Sequence, residues 1–189
     1  RLNTAMTRGV PAVRVAVVHP IESYWLHWGP SEQTAAVREH MEEQFHELAE
    51  TLLFHGIDFD YISENELPHF CDRGGNPLQV GEMEYDVVIV CGCQTLRGTT
   101  LHRLKEFRAE GGELLFIGEC PELVDAKPSD AVRDLYENSS RVSFSETAVL
   151  EALEPWRFLD IRREDGSRED RILHQMRKDG EYLWLFAAT

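Results

Sequence analysis

The chain has 189 residues, 42% of them hydrophobic, with 34 acidic and 19 basic residues for a formal net charge of −15. That length suits one fairly large domain whose core needs no disulfide or metal staple. So acidic a surface repels phosphate backbones and anionic membranes, which argues against nucleic-acid and membrane partners and for solubility.

Residues 1–11 read as irregular. Val13-Arg14-Val15-Ala16-Val17-Val18 is a nearly continuous β-branched run, the pattern of a parallel strand covered on both faces. His19 to Pro30 follows as an aromatic-rich loop. A long helix begins near Ser31, with Met41, Phe45, Leu48, Leu52 and Leu53 in one stripe and Gly56 as its C-terminal stop. Ile57 to Ile62 alternates with period two and reads as a more exposed strand. Residues 65–84 hold Pro68, Gly74, Gly75, Pro77 and Gly81 and read mostly as loop. Tyr85 to Cys91 contains a second buried strand. Thr99 or Thr100 caps a helix with Leu101, Leu104 and Phe107 inward, closed by Gly111-Gly112, and Leu114 to Ile117 is a third buried strand. Strand, helix, strand, strand, helix, strand is the order of a doubly wound α/β sheet.

The last third changes character. Asp130–Glu137 and Ser145–Leu153 read as short helices, and Arg157–Arg163 and Arg171–Arg177 as strands. The second of these strands joins Glu181–Ala187 through the turn Lys178-Asp179-Gly180. The expected fold is therefore a mainly parallel, flavodoxin-like sheet of about five strands over residues 1–140, with a helical and hairpin extension over 141–189.

Cys71, Cys91, Cys93 and Cys120 fit thiols of a reducing, cytoplasmic compartment, three of them in or beside apolar runs. Cys91-x-Cys93 has no second pair at zinc spacing, so no metal site is expected. No stretch approaches the roughly 18 apolar residues of a membrane span, and no signal peptide opens the chain. Both termini read as cut from a longer protein.

Ligands of open α/β sheets sit at the carboxyl ends of the strands. Three loops are expected to converge there. The first carries His19, Glu22, Tyr24, Trp25 and Trp28; the second Cys93 and Gln94; the third Glu119 and Cys120. The indoles suit a sugar ring or a protein interface, or else cap the core and the first helix. Glu22 alone does not make a glycosidase, whose chemistry needs two carboxylates. The large first-loop residues leave little room for a phosphate, and GxGxxG is absent, so no nucleotide or flavin cofactor is expected. Cys120 stands where a nucleophile elbow would place a thiol, but Glu122 replaces the second small residue. Pro121 removes a backbone N–H, Glu119 opposes the thiolate, and His174 lies in a hairpin strand with no acid two residues on.

On the strand Val13–Val18, the strand Val87–Gly92, the Gly111-Gly112 turn and the run Leu114–Cys120, residues 13–124 resemble a class I glutamine-amidotransferase-like domain. Active members read Gly-x-Cys-x-Gly at the elbow, with a later His-x-Glu. Here Gly118 and Cys120 are kept, Glu122 departs, and no later His-x-Glu follows. The loop His19–Trp25 and the hairpin Leu173–Phe186 resemble, more narrowly, amidotransferase-like domains of multidomain glycoside hydrolases. Examples are the trimerisation domain of microbial β-galactosidases and the related region of rhamnosidase-like enzymes. The resemblance implies a non-catalytic accessory domain serving oligomerisation or the substrate site. Its expected partners are other domains of the same polypeptide, further copies of the chain, or carbohydrate. The alternatives are a free-standing cysteine hydrolase acting through Cys120 and a small-molecule or sugar-binding module.

Overall fold

A computed structural model describes residue 3 and residues 6–188. The irregular reading of the chain start lies outside the described residues at positions 1, 2, 4 and 5. Its end, Val10–Pro11, forms a short strand instead.

Five parallel strands make the central sheet: β1 (Val15–Val18), β2 (Phe59–Ile62), β3 (Val87–Cys91), β4 (Glu113–Ile117) and β5 (Ser140–Val142). Their spatial order is β5-β4-β3-β1-β2, read from the other edge as 2-1-3-4-5. This is the flavodoxin-like doubly wound order, as the sequence pattern predicts. β1 and β3 are buried at every position, which is why they are continuous apolar runs, whereas edge strand β2 is fully buried only at Ile62.

The helices are α1 (Ile21–Leu26), α2 (Ser31–Phe54), α3 (Gly98–Ala109) and α4 (Glu146–Leu153), with shorter turns between. Alternate strand residues feed two cores. Val15, Val17, Val87 and Ile89 pack with Leu48 and Leu52 of α2 and Val149 and Leu153 of α4. Ala16, Val18, Val88, Val90, Leu114 and Phe116 pack with Leu101, Leu104 and Phe107 of α3. Each fully buried side chain of this size stabilises by about 1.5–3 kcal/mol. Gly112 lets β4 start directly under Phe107, because a Cβ there would stand 2.2 Å from that ring.

β5 straddles residue 140, and α4 packs on the same core beyond it. The chain then forms β6 (Leu173–Asp179) and β7 (Tyr182–Ala188), an antiparallel hairpin with Val10–Pro11 on its far side. The expected strand at Arg157–Arg163 is not one. This stretch is irregular apart from one bridge, Arg162 to Arg168. Ion pairs shape it, with Arg157 and Arg168 on Glu154 and Arg162 and Arg168 on Asp160. No helix among the described residues is long and apolar enough to cross a membrane.

Candidate functional site at the switch point

Chain connections leave β1 and β3 in opposite directions, so the crevice between their carboxyl ends is the topological switch point, where ligands bind in open α/β sheets. The segment after β1 is not a loop throughout: Ile21–Leu26 folds as α1. Ser23 of α1, 1% exposed, accepts hydrogen bonds from the backbone N–H of Gln94 (2.8 Å) and of Thr95 (3.1 Å). The Gln94 carbonyl in turn accepts from the N–H groups of Glu122 (3.2 Å) and Leu123 (3.1 Å). The three loops are thereby tied together, as expected.

Polar groups converge on this junction. Glu22 pairs with the Arg97 side chain. Glu64, 2% exposed, accepts the Arg97 backbone N–H at 2.7 Å, and Asp125 accepts the Gly98 N–H at 3.0 Å. Two carboxylates thus take the Arg97 and Gly98 N–H groups at the α3 N-terminus, the kind of place a phosphate would take in a nucleotide site. Burial pushes the Glu64 carboxyl above its usual range, opposed by the Arg97 N–H.

Asp125 and Ala126 join two short strands, Leu123–Val124 and Lys127–Pro128, in a two-residue turn. Both have positive φ, 50° and 59°. Left-handed backbone is ordinary at Asp but costs Ala about 1 kcal/mol or more. Thr95 Oγ1 holds the turn by accepting the Ala126 N–H at 3.1 Å. Strain of this kind clusters at functional sites.

Glu22, Trp25, Leu26, Thr95, Arg97, Asp125 and Ala126 line a crevice of about 400 Å³. Trp25 is 58% exposed on its wall. The crevice therefore brings an exposed indole, a guanidinium and carboxylates into one lining.

The other first-loop residues point elsewhere. Trp28 lies under the Arg38 guanidinium, 5.0 Å from the ring centroid, and Tyr24 donates to Glu42 at 2.6 Å. His19 sits edge-on to Phe45 and Tyr61, and burial lowers its pKa. With Ile21, Tyr24, Met41 and Phe45 it lines a separate, largely apolar hollow of about 300 Å³ against α2. Gln94 is exposed, its side-chain oxygen 2.7 Å from the His27 ring. Cys93 is a core residue whose thiol is pushed well up by burial.

Glu119 and Cys120 line a polar cavity of about 770 Å³ beyond β4, with Glu122, Arg133, Glu137 and Arg141. Burial raises the Cys120 thiol despite the nearby Arg133, and Glu122 and Glu137 raise it further. The segment after Cys120 turns into the strand Leu123–Val124 and not into a helix, and no histidine lines the cavity. No general base stands beside the thiol to activate it as a nucleophile. All four cysteines are free thiols. Among the described residues, no cluster of three His, Cys, Asp or Glu side chains is placed to hold a metal ion.

Sequence reasoning missed Ser23, Glu64, Thr95, Arg97, Asp125 and Ala126. Only the turn carries a local signal, an Asp that tolerates positive φ at its first position, and it lacks the glycine that marks such hairpins.

No family model, curated protein or solved structure matches this chain.

Proposed function

We propose that the chain is a non-catalytic, amidotransferase-like accessory module of a cytoplasmic, multidomain glycoside hydrolase, supporting assembly or the substrate site. The observation carrying this reading is the switch-point crevice, which exposed Trp25 lines together with Arg97, Glu22 and Asp125. A pyranose has an apolar C–H face that suits an indole and a rim of hydroxyls that suits guanidinium and carboxylate groups. Cys120, with its raised pKa and no base, supports recognition over covalent chemistry.

The test is a calorimetric and tryptophan-fluorescence titration of the protein with neutral mono- and oligosaccharides. Concentrations to about 10 mM reach binding free energies as weak as about −3 kcal/mol. Saturable binding that disappears in Trp25→Ala, with the fold intact by circular dichroism, supports the sugar-facing role. Equal responses in wild type and Trp25→Ala would remove it.

A further inference from the structure

Among the described residues, the outer strand of the C-terminal hairpin has no neighbour on one side. The order is Val10–Pro11, β6, β7, which leaves one edge of β7 free. That strand reads Tyr182-Leu183-Trp184-Leu185-Phe186-Ala187-Ala188, seven residues without a charge, proline or glycine. Tyr182 is 71% exposed, Leu183 55%, Leu185 49% and Trp184 37%. Monomeric proteins blunt free edges with charges, proline, bulges or shortness, and β7 shows none of these.

We propose that β7 is a self-association edge, pairing antiparallel with β7 of a second copy about a twofold axis at Leu185. The backbone sets this register. Asp179 pairs with Tyr182 across the two-residue turn Gly180-Glu181. That closing pair is hydrogen-bonded, so Tyr182, Trp184 and Phe186 direct their N–H and C=O toward β6. Leu183, Leu185 and Ala187 direct theirs outward. Pairing about Leu185 places Leu185 opposite itself and Leu183 opposite Ala187, so no charge meets a like charge. Such pairing is self-complementary and closes at two copies.

The exposed area points to a second copy. The exposed parts of Leu173, Tyr182, Leu183, Trp184 and Leu185 amount to roughly 500 Å² per copy, taking side chains of this size at about 200 Å² each. Two copies can cover about 1,000 Å², the low end for a specific interface, which fits a dimer of micromolar strength and not an obligate one. The net charge of −15 opposes association, but β7 contributes nothing to it. Screening the repulsion therefore tightens the dimer as salt rises, the reverse of an ion-paired interface.

The inference rests on the assembly side of the reading above and names its partner. Trp25→Ala separates it from sugar binding, since that variant still dimerises. Sedimentation equilibrium from about 1 to 500 µM, spanning the micromolar range, is expected to move from 21.7 kDa toward twice that mass. Leu185→Lys sets two lysines against each other at the axis, and Ala187→Pro removes an outward N–H while keeping the strand apolar. Both are expected to stay monomeric and folded. Amide hydrogen exchange of the wild type needs no variant: Leu183, Leu185 and Ala187 gain protection with concentration, whereas Trp184 is protected throughout. A monomer at every concentration, a dimer unaffected by either substitution, or growth past two copies overturns the proposal.

Discussion

The Ser23 hydroxyl holds Thr95 by both of its main-chain polar groups, accepting its N–H at 3.1 Å and donating to its carbonyl at 3.4 Å. The same oxygen accepts the Gln94 N–H at 2.8 Å, so one buried side chain fixes the distance between α1 and the chain leaving β3. Ser23→Ala strands these N–H groups away from water. A buried donor left unpaired costs about 1–3 kcal/mol, and urea denaturation is expected to show that loss with an unchanged slope. A loss under about 0.5 kcal/mol, within the range of ordinary surface changes, would mean that the clamp contributes little.

Cys120 provides a kinetic test of the non-catalytic reading. Its thiol is raised by burial, and Glu122 and Glu137 oppose the thiolate. Iodoacetamide near pH 7 is therefore expected to label it more slowly than free cysteine, with a rate that climbs with pH. Cys71, Cys91 and Cys93 are buried and are expected to label only on unfolding; the Cys91 thiol is pushed up to about 12. Peptide mass spectrometry assigns the sites. Labelling of Cys120 faster than free cysteine would restore the hydrolase reading.

Asp58 makes stability depend on pH. Burial, and then the neighbouring Asp60, push its carboxyl from 3.8 to about 6, against the Phe59 N–H that it accepts. The folded state thus holds this proton more tightly than the unfolded chain does. The contribution is full below about 3.8 and is lost as pH rises through about 6. Asp58→Asn keeps an acceptor for Phe59 and removes the titration. Relative to this variant, the wild type is expected to lose stability between pH 4 and 6, read from thermal midpoints. Parallel midpoint curves would rule out Asp58 as the titrating group.

How much of this was visible in the sequence depended on how local each signal was. β1, β3 and β4 were legible because burial on both faces demands unbroken apolar runs. β5 was not: Ser140-Arg141-Val142 is three residues long at a sheet edge, exposed at its first two positions, and carries no such run. The helix α1 has six residues, too few for a 3.6-residue period to stand out, and its sequence reads as loop. That mattered for the site. Within one turn of α1, Glu22 and Trp25 are three apart and share a face toward the crevice, while Tyr24 and Trp28, the latter just past the helix end, meet each other and reach Glu42 and Arg38 of α2. The aromatic cluster that reads as one surface is divided between two. Arg97 and Asp125 reach Glu22 and Gly98 only through the sheet topology, which no local pattern encodes.

The strained turn facing Trp25 offers a test that separates function from stability. Ala126 has φ of 59°, a conformation that glycine adopts without cost. Ala126→Gly relieves about 1–2 kcal/mol of left-handed strain but restores chain entropy to the unfolded state worth about 0.4–1 kcal/mol. The net expectation is a stabilisation of up to about 1.6 kcal/mol, read as a higher urea midpoint. The N–H that Thr95 Oγ1 accepts is kept, so the turn retains its place against the crevice. If the strain serves to hold that wall rigid, the glycine variant gains stability while any ligand bound beside Trp25 is held less tightly. A variant that gains stability and binds as well as the wild type would show that the turn is only a connection between two strands. A destabilised variant would show that the methyl group of Ala126 packs usefully against the crevice and that strain is the smaller effect.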